Sequence, residues 1–368
     1  MSVAGKAAPV LHVISGLGGG GAEAQLVQIA SALQKSGVPQ HVASLTGRGV
    51  YGDALAAVGV DATFLDLRGM TGVLGGIARL AGLARRLQPR AVQGWMYHGD
   101  LAATLAHRLA RLGPRVPLNW GLRCSDMDLA HYSTQLRAVM RACVLLSSVP
   151  DLVVANARRG LEAHLHLGYR PRATLVIPNA VDVDRFAPDA ARRIAIRAHF
   201  GFAETDPVFA LVARVDPMKD HAGFLGVLGQ HPQLRGLLVG AGTEALDLPA
   251  NVVALGRRED VAEILAAADA IVLCSAFGEG FPNALVEGMA VGLPPIATDV
   301  GDARTIVGRT GWIVPPRDRA ALGAAMRAFA DESAEARAIR SNAARAHIVD
   351  SFGAAAAVAS YRNLYGAP

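Results

Sequence analysis

Two carboxylates, Glu279 and Glu287, flank a turn that the sequence places between a buried strand and a short helix. The uninterrupted apolar run at 270–274 predicts a strand of a parallel sheet, covered on both faces. Gly278 and Gly280 then allow the chain to turn sharply, because glycine tolerates backbone conformations that other residues avoid. Apolar periodicity resumes directly after the turn and predicts a helix that carries Glu287 about one and a half turns in.

The start of this helix is a candidate phosphate site. Pro282 stands where a first helical residue would, and the N–H groups of residues 283–285 are free to receive a phosphate oxygen. A carboxylate on either side can accept hydrogen bonds from hydroxyl groups such as those of a ribose and a sugar. The pattern therefore fits a nucleotide-sugar site, although two solvated glutamates on an ordinary strand–turn–helix unit fit the spacing equally well.

Two cations on one loop suit the same kind of ligand. Arg214 and Lys219 follow the apolar run 208–213, and a pair of cations five residues apart matches a diphosphate whose negative charge grows as it leaves. The competing interpretation is a surface loop in which these cations pair with Asp216 and Asp220. The scarcity of lysine in the chain favours the functional interpretation.

The first half of the chain offers two weaker candidates. Gly18–Gly21, followed by Glu23, comes after the first predicted strand and opens a helix, so its backbone amides are placed to approach a phosphate. It is not a G-x-G-x-x-G fingerprint, and no acidic residue closes the second strand. His98 follows the fourth strand, where an imidazole can polarise a hydroxyl group, but a lone histidine is more often structural.

Two short acidic pairs resemble metal sites. They are Asp126 with Asp128 and Asp182 with Asp184. Neither has clustered histidine or cysteine partners, and such spacings arise by chance. We therefore expect no metal ion and no other cofactor.

Length and composition indicate a globular protein of two domains. The chain has 368 residues, of which 52% are hydrophobic and 18% charged. Three scattered cysteines argue against a disulfide framework, and the sequence shows neither a signal peptide nor an uncharged apolar run of membrane-spanning length, so we expect a cytoplasmic protein. The net charge of +5 arises in residues 1–180, where 18 basic residues outnumber 9 acidic ones. This excess is compatible with contact at an anionic membrane surface or simply with arginine-rich helices.

Strands alternate with helices through most of the chain, which predicts two parallel α/β domains of doubly wound type. The predicted strands are 10–14, 42–45, 62–65, 91–95, 116–120, 152–155, 174–177, 208–213, 236–239, 252–255, 270–273 and 295–298. The predicted helices are 22–35, 73–87, 100–112, 132–147, 158–167, 189–199, 318–331, 333–349 and 353–365. A looser stretch at 178–207 is the best linker. Ligands of such folds bind at the carboxyl ends of the strands, and the candidate residues above all follow strands.

Taken together, these motifs resemble the retaining GT-B glycosyltransferases of family GT4, over nearly the whole chain. The signature E-x7-E is present as Glu279 and Glu287. Further motifs occur in the family's order: the Gly-rich turn with Glu23, His98, the Ile177–Asp182 joint, Arg214 with Lys219, Gly240–Gly242 and Gly256–Val261. The variants around 216–221 and 298–302 are most similar to enzymes of bacterial capsule, lipopolysaccharide or exopolysaccharide assembly.

The resemblance implies a domain arrangement and a role for each matching residue. It implies an N-terminal acceptor domain at 1–182, a C-terminal donor domain at 183–352 and a final helix, 353–368, that returns to the first domain, the two domains facing a cleft. Arg214 and Lys219 would bind the donor diphosphate, Glu287 the ribose, and Glu279 the transferred sugar. His98 would face the sugar and the acceptor. The implied catalytic residues are thus His98, Glu279, Arg214 and Lys219, and the implied donor-binding residues also include Gly19, Gly20, Gly240, Arg257, Gly280, Phe281, Pro282, Asn283 and Glu287.

One departure from the family pattern concerns Thr305. Many relatives carry a glutamate in the loop after Gly301, at the place where this chain has Thr305. A hydroxyl group cannot supply the charge of a carboxylate. This departure puts details of donor or domain-closure contacts in doubt, but not the fold.

The resemblance implies metal-independent transfer, with retained configuration, from a UDP- or GDP-sugar. The expected acceptor is a saccharide or a polyprenyl-linked saccharide at the inner face of the cytoplasmic membrane, with peripheral contact through the basic first domain and no nucleic-acid partner. Alternatives are a nucleotide-sugar epimerase of the same fold, an NAD-dependent oxidoreductase, and a non-catalytic protein that binds nucleotide sugars, anionic membranes or nucleic acid. The imperfect glycine fingerprint opposes the oxidoreductase. Scattered cations and an aromatic content of only 5% oppose nucleic-acid binding.

Overall fold

The computed structural model describes residues 7–18, 20–67, 69–124 and 133–366. The chain divides into two compact units. The first unit comprises Met1–Ala180 together with Ala355–Pro368, and the second comprises Val181–Ala354. The boundaries given by the resemblance, after residues 182 and 352, each lie two residues from these divisions.

The first unit is a parallel sheet with helices between its strands. Its strands are β1 (Val10–Ile14), β2 (Gln40–Ser44), β3 (Asp61–Phe64), β4 (Ala91–Trp95), β5 (Leu118–Leu122), β6 (Leu152–Ala155) and β7 (Thr174–Val176). Its helices are α1 (Gly21–Lys35), α2 (Gly52–Ala57), α3 (Gly69–Leu87), α4 (Met96–Ala110), α5 (Thr134–Leu146), α6 (Arg158–His166) and, at the end of the chain, α14 (Ala354–Leu364). The described strands pair in the order β3-β2-β1-β4-β5-β6-β7.

The second unit repeats this architecture. Its strands are β8 (Val208–Val212), β9 (Arg235–Val239), β10 (Val252–Ala254), β11 (Ala270–Leu273), β12 (Pro295–Thr298) and β13 (Trp312–Val314). Its helices are α7 (Ala190–Phe200), α8 (His221–Gln230), α9 (Val261–Leu265), α10 (Asn283–Ala290), α11 (Ala303–Val307), α12 (Arg319–Ala330) and α13 (Ala334–Phe352), with short 3-10 turns at Pro217–Lys219 and Thr243–Ala245. The strands pair in parallel in the order β10-β9-β8-β11-β12-β13. Two parallel sheets with interleaved helices confirm the predicted fold class.

Strand β1 shows why the apolar runs of this chain form central strands. All five of its residues are buried, so both faces of the strand are covered. Val10 and Ile14 belong to a core cluster that also contains residues of α1 and α14. Leu11 and Val13 point to the opposite face and pack with residues of α3 and α4.

His12 is the polar exception in this strand. Trp95 Nε1 donates a hydrogen bond to its Nδ1 at 3.0 Å, so its Nε2 carries the proton and donates to Gln40 Oε1 at 2.7 Å. Burial lowers the pKa of His12 to about 4, and the imidazole is therefore neutral near pH 7. With both ring nitrogens satisfied in the core, His12 is a structural histidine.

The last helix packs into the core of the first unit. Tyr361 of α14 and Tyr365, which follows the helix, are buried in the same cluster as Val10 and Ile14. Arg123, which follows β5, stacks over the Trp95 ring at 4.4 Å and donates to the Tyr361 hydroxyl oxygen. The end of the chain is thereby fixed to the first sheet by both apolar contact and a cation.

A strained turn between β4 and α4 sets the position of His98. Met96 adopts a left-handed conformation with φ of 61°, which is unfavourable for a residue with a side chain. Close packing of the following turn against β1 holds it there, since a Cβ atom at Gly99 would lie 2.4 Å from the Val13 carbonyl oxygen. His98 consequently lies in the first turn of α4, directly after the carboxyl end of β4.

The element boundaries differ from the sequence prediction in a few places. Helix α4 begins at Met96 and not at residue 100, because the left-handed turn that starts it carries no sequence signal. Helix α3 begins at Gly69, four residues before its predicted start, and β5 lies two residues after its predicted position. The elements α2, α8, α11 and β13 were not predicted. Three of them have six residues or fewer, which is too few to establish a period. Helix α8 has ten residues, but three of them are glycines, which are unfavourable in a helix.

Within the described parts of the chain, no helix has the length and apolar character needed to span a lipid bilayer.

Candidate functional site

The site candidates of the second unit all follow the carboxyl ends of neighbouring strands. The loop after β8 carries Arg214 and Lys219, and the loop after β9 begins with Gly240. Arg257 comes after β10, while Glu279 follows β11. Because these strands are parallel neighbours, their carboxyl ends meet at one edge of the sheet. The structure thus brings residues from four separate motifs to one edge.

Backbone hydrogen bonds connect these loops to one another. Gly240 N donates to the Gly256 carbonyl oxygen at 2.8 Å, which joins the loops after β9 and β10. Gly240 has φ of 152°, and a Cβ atom there would lie 2.0 Å from the Ala213 carbonyl oxygen. Only glycine permits this approach. The geometry therefore explains Gly240 by the packing of the loop after β9 against the loop after β8.

The loop after β12 packs against the loop that carries Glu279. Asp302 N donates to the Gly280 carbonyl oxygen at 3.0 Å. A Cβ atom at Gly301, where φ is 51°, would lie 2.3 Å from the Glu279 carbonyl oxygen. The Gly301 motif therefore supports the backbone on which Glu279 stands. Thr305 lies exposed on α11, one turn further along.

At the centre of this edge, Lys219 and Glu279 form an ion pair. Lys219 Nζ lies 2.5 Å from Glu279 Oε1. Their side chains are only 18% and 8% exposed, so the pair is largely removed from water. A buried carboxylate of this kind needs its cation, because an unpaired charge in the interior is strongly unfavourable. Two residues sixty positions apart in sequence thus act as one electrostatic unit.

Arg214 is placed differently. Its Nη2 lies 2.7 Å from Asp216 Oδ2, and two thirds of its side chain is exposed. The Asp216 carboxylate also accepts the Met218 N–H and caps the 3-10 turn that positions Lys219. These hydrogen bonds, with the Arg214 cation, lower the pKa of Asp216 despite its partial burial. The surface-loop interpretation predicted that the two cations pair with Asp216 and Asp220. Arg214 does pair with Asp216, whereas Lys219 pairs with Glu279 and not with Asp220.

Glu287 lies on α10 and has a different environment. It is partly exposed, and its carboxylate accepts no hydrogen bond from the residues that the structure describes. Desolvation raises the pKa of Glu287 to about 7, and the nearby Arg185 cation opposes that shift. A carboxyl group that accepts no hydrogen bond from the described residues and has a raised pKa is a candidate ligand-binding group.

The turn before α10 presents the start of the helix. Pro282 is the N-cap residue and supplies no side-chain cap, so it lies one position before the first helical residue, Asn283. Phe281 is buried and packs edge-to-face against Phe352 with ring centroids 5.4 Å apart. This aromatic contact fixes the turn before the helix. Of the three N–H groups predicted to be free at the helix start, that of Leu285 instead donates to the Pro282 carbonyl oxygen at 3.1 Å.

Arg257 is exposed on the loop after β10. Arg185 Nη2 donates to the Glu259 carbonyl oxygen on the same loop at 3.0 Å. The same guanidinium acts electrostatically on Glu287. Arg185 therefore links the loop of Arg257 to the helix of Glu287.

The first-unit candidates also follow neighbouring strands. Gly20 is the N-cap residue of α1, after β1, and His98 lies in the first turn of α4, after the adjacent strand β4. His98 accepts and donates no hydrogen bond among the described residues, and burial lowers its pKa. A Cβ atom at Gly20 would lie 2.3 Å from Glu23 Oε2, so this carboxylate lies against the helix entrance. Gly19 is outside the described residues.

The acidic pairs provide little information about a metal. Asp126 and Asp128 are outside the described residues. Asp182 Oδ1 accepts the N–H groups of Asp184 and Arg185, at 3.2 and 3.0 Å, and so caps a turn. In the described part of the chain, no group of three or more His, Cys, Asp or Glu side chains is arranged to hold a metal ion.

Two residues of this site were not identified from the sequence. Ser275 Oγ lies 2.5 Å from Glu279 Oε1, and Arg185 makes the contacts described above. A polar residue directly after an apolar strand was the available signal for Ser275. Arg185, in the linker and far from β10 in sequence, carried no comparable signal.

Comparison with known proteins identifies both halves of the chain. Residues 19–185 match the family model described as Glycosyltransferase Family 4, and residues 206–332 match the model described as Glycosyl transferases group 1. The chain belongs to the family 4 glycosyltransferases. The predicted family resemblance is thereby confirmed.

Individual relatives of this glycosyltransferase include the putative glycosyltransferase EpsF of Bacillus subtilis, 27% identical over 316 residues that cover 79% of each chain. A D-inositol 3-phosphate glycosyltransferase of Geodermatophilus obscurus is 35% identical over 206 residues. That match covers 48% of this chain and 45% of the relative, so it spans less than half of the relative's length.

Among solved structures, HepE of Anabaena in complex with UDP-glucose is similar, with a TM-score of 0.83 and 22% identity over 97% of this chain and 99% of that one. At this identity the likeness shows a common fold, GT-B.

Proposed function

We propose that this glycosyltransferase moves a sugar from a UDP- or GDP-sugar to a saccharide or lipid-linked acceptor of bacterial surface polysaccharide synthesis. The observation that carries the proposal is the buried Lys219–Glu279 ion pair, which two loops form at the carboxyl edge of the second sheet. Helix α10, which follows the loop of Glu279, carries Glu287, whose carboxylate accepts no hydrogen bond from the described residues. UDP-glucose bound to HepE supports a nucleotide-sugar donor. An exopolysaccharide phosphotransferase of Streptomyces coelicolor, 35% identical over 188 residues, supports a role in polysaccharide synthesis.

In the proposed reaction the bond between the anomeric carbon and the β-phosphate oxygen breaks, and its electron pair stays on that oxygen. Lys219 and Arg214 stabilise the negative charge that develops there, together with the N–H groups at the start of α10. The acceptor oxygen bonds to the anomeric carbon on the face from which the diphosphate leaves, and its proton passes to the departing phosphate oxygen. Configuration is thereby retained.

The remaining site residues position the donor in this scheme. Glu287 accepts hydrogen bonds from the ribose hydroxyl groups, and Glu279 accepts them from the transferred sugar. Arg257 contacts the base. Two protein cations supply the positive charge that a metal ion provides in other transferases, so the proposed reaction needs no metal.

Nucleotide sugars should stabilise the protein against heat in the presence of EDTA. A donor that binds only the folded state at 100 times its Kd adds about 2.7 kcal/mol, which is a shift of several degrees. We expect UDP, GDP or one of their sugar conjugates to give such a shift, and ATP to give none. A shift that appears only after a divalent ion replaces EDTA would contradict the metal-free mechanism. The absence of a shift with every UDP- and GDP-sugar would contradict the proposed donor class.

We propose further that the first unit contacts the membrane through helix α5. Arg137, Arg141 and Leu145 are four residues apart and lie on one face of this helix. Leu145 is 82% exposed, and neither arginine forms an ion pair with a described residue. The same helix lines a pocket of about 380 Å³ together with Leu167 and Tyr169. Arg141 is exposed and Arg137 is half-buried. Cations beside apolar side chains suit an anionic lipid surface.

The variant Arg137→Ala/Arg141→Ala should bind anionic vesicles roughly thirtyfold more weakly than the wild type, because each basic residue near the surface contributes about 1 kcal/mol. Co-sedimentation with phosphatidylglycerol vesicles measures this, and phosphatidylcholine vesicles should bind neither protein. Removal of two exposed arginines from the second unit, Arg258→Ala/Arg304→Ala, serves as the matched control and should leave binding unchanged. Equal losses in the two double variants would disprove a specific role for α5.

A further inference from the structure

Ser275 presents a buried hydroxyl group to Glu279. The residue is 1% exposed, and its Oγ lies 2.5 Å from Glu279 Oε1. An ionised carboxylate can only accept hydrogen bonds, so the serine hydroxyl is the donor. Lys219 Nζ donates to the same oxygen at 2.5 Å. One carboxylate oxygen therefore receives donors from two different loops.

The backbone around Ser275 is held without help from this hydroxyl group. Thr298 Oγ1 donates to the Ser275 carbonyl oxygen at 2.7 Å. Ala276 N donates to the Met218 carbonyl oxygen at 2.7 Å, which joins this loop to the loop of Lys219. Since both the carbonyl oxygen and the N–H of the peptide group that joins Ser275 to Ala276 are hydrogen-bonded, the hydroxyl group is not required to fix the chain after β11. Its partner is the Glu279 carboxylate.

We infer that Ser275 is a positioning residue for Glu279, an inference that rests on the proposed function. A glutamate side chain has three rotatable bonds, and a single flexible lysine does not fix its carboxylate in one orientation. The donor diphosphate competes with Glu279 for Lys219, because a phosphate oxygen is an equally strong acceptor for an ammonium group. Ser275 keeps the carboxylate in place when Lys219 turns toward the diphosphate, so that Glu279 remains directed at the sugar.

This role separates two parts of donor binding. The free nucleoside diphosphate contacts Lys219, the helix start and Glu287, and does not need an oriented Glu279. The sugar-bearing donor does need it. Loss of the Ser275 hydroxyl should therefore weaken recognition of the sugar and leave recognition of the diphosphate nearly unchanged.

The test compares Ser275→Ala with the wild type by calorimetry, with UDP and GDP as free diphosphates and UDP-glucose and GDP-mannose as their sugar conjugates. We expect the Kd of the sugar conjugate to rise about tenfold relative to that of the free diphosphate, the size of one hydrogen bond to a charged group. Ser275→Cys retains the side-chain size with a weaker donor and should fall between the two. Ser147→Ala removes another fully buried serine hydroxyl, in the first unit, and should change neither Kd.

A double-mutant cycle with Glu279→Gln distinguishes positioning from a general effect on the fold. If Ser275 acts through Glu279, Ser275→Ala should change the ratio of the two Kd values less than twofold in the Glu279→Gln background. An equal loss in both backgrounds, or an unchanged ratio in the wild-type background, would overturn the inference while the proposed function stood. A wild-type protein that bound none of the four compounds would overturn both.

Discussion

Glu287→Gln should make the protein more stable at pH 8 and at the same time weaken donor binding by 10- to 100-fold. The carboxyl group has a pKa of about 7 in the folded protein against an ordinary value of 4.5. Above pH 7 the folded state must hold an ionised group that burial disfavours, at a cost of up to roughly 3 kcal/mol. A neutral amide of the same shape removes this cost, which corresponds to several degrees in the melting temperature of the second unit.

The sign of the pH dependence follows from the raised pKa. Between pH 4.5 and pH 7 the folded state retains a proton that the unfolded state has lost, so stability falls as the pH rises through this window. Thermal unfolding of the variant and the wild type should therefore agree at pH 4.5 and separate progressively up to pH 8. Glu204→Gln, at an exposed position of the same unit, is the control and should show no such separation.

Donor binding should depend on pH in the opposite sense. A protonated Glu287 loses its charge and is a poorer acceptor for the ribose hydroxyl groups, so a pKa of about 7 makes binding about tenfold weaker at pH 6 than at pH 8. Calorimetric titration with the nucleotide sugar that stabilises the wild type measures this ratio. Glu287→Gln should bind weakly at both pH values. A variant that bound the donor as tightly as the wild type would exclude Glu287 from the site.

The positions of the strands could be predicted because the apolar runs of this chain are short, uninterrupted and followed by turn residues. The strand Ala270–Leu273, followed by the turn at Gly278 and Gly280, illustrates this. An uninterrupted apolar run of this length is typical of a strand that is buried on both faces. The parallel arrangement then places each loop at the same edge, and the candidates Arg214, Gly240 and Glu279 all follow strand ends.

The partner of each charge could not be predicted in the same way. Lys219 pairs with Glu279, sixty residues away, although Asp220 is its immediate neighbour in sequence. Asp220 instead caps α8 by accepting the Gly223 N–H, so its carboxylate is already committed. Asp260 is a similar case. It precedes α9, but its carboxylate accepts a hydrogen bond from the exposed Arg258 and does not cap the helix. Such choices depend on geometry that forms only in the folded unit.

The raised pKa of Glu287 also has no signal in the sequence. The residue occupies a helical position that would normally be solvated, and only the surrounding packing desolvates it. The left-handed Met96, which brings His98 into the first turn of α4, is a comparable case, because its cost is balanced by tertiary packing. One of these deviations lies at a candidate site residue, Glu287, and the other lies two residues before the candidate His98.

Lys219→Met should lower the rate of sugar transfer by 10²- to 10³-fold and also destabilise the second unit. The ammonium group is proposed to stabilise charge on the leaving diphosphate, and the loss of one such donor typically has an effect of this size. The same substitution leaves the buried Glu279 carboxylate without its cation, which should destabilise the protein by about 3 kcal/mol. This value is at the lower end of the range for a broken buried ion pair, because the lysine side chain is still 18% exposed. Methionine retains most of the apolar stem, so packing changes little.

Stability and activity should separate in the double variant Lys219→Met/Glu279→Gln. Neutralising the carboxylate removes the unpaired charge, so the melting temperature should return close to that of the wild type, while transfer stays as low as in Lys219→Met. Lys35→Met, at an exposed position near the end of α1, is the matched control and should leave both quantities nearly unchanged. Recovery of transfer in the double variant would mean that Lys219 serves only as the counter-ion of Glu279. A single variant as stable as the wild type would mean that the carboxylate tolerates the loss of its cation, and that the ion pair contributes little to the fold of the site.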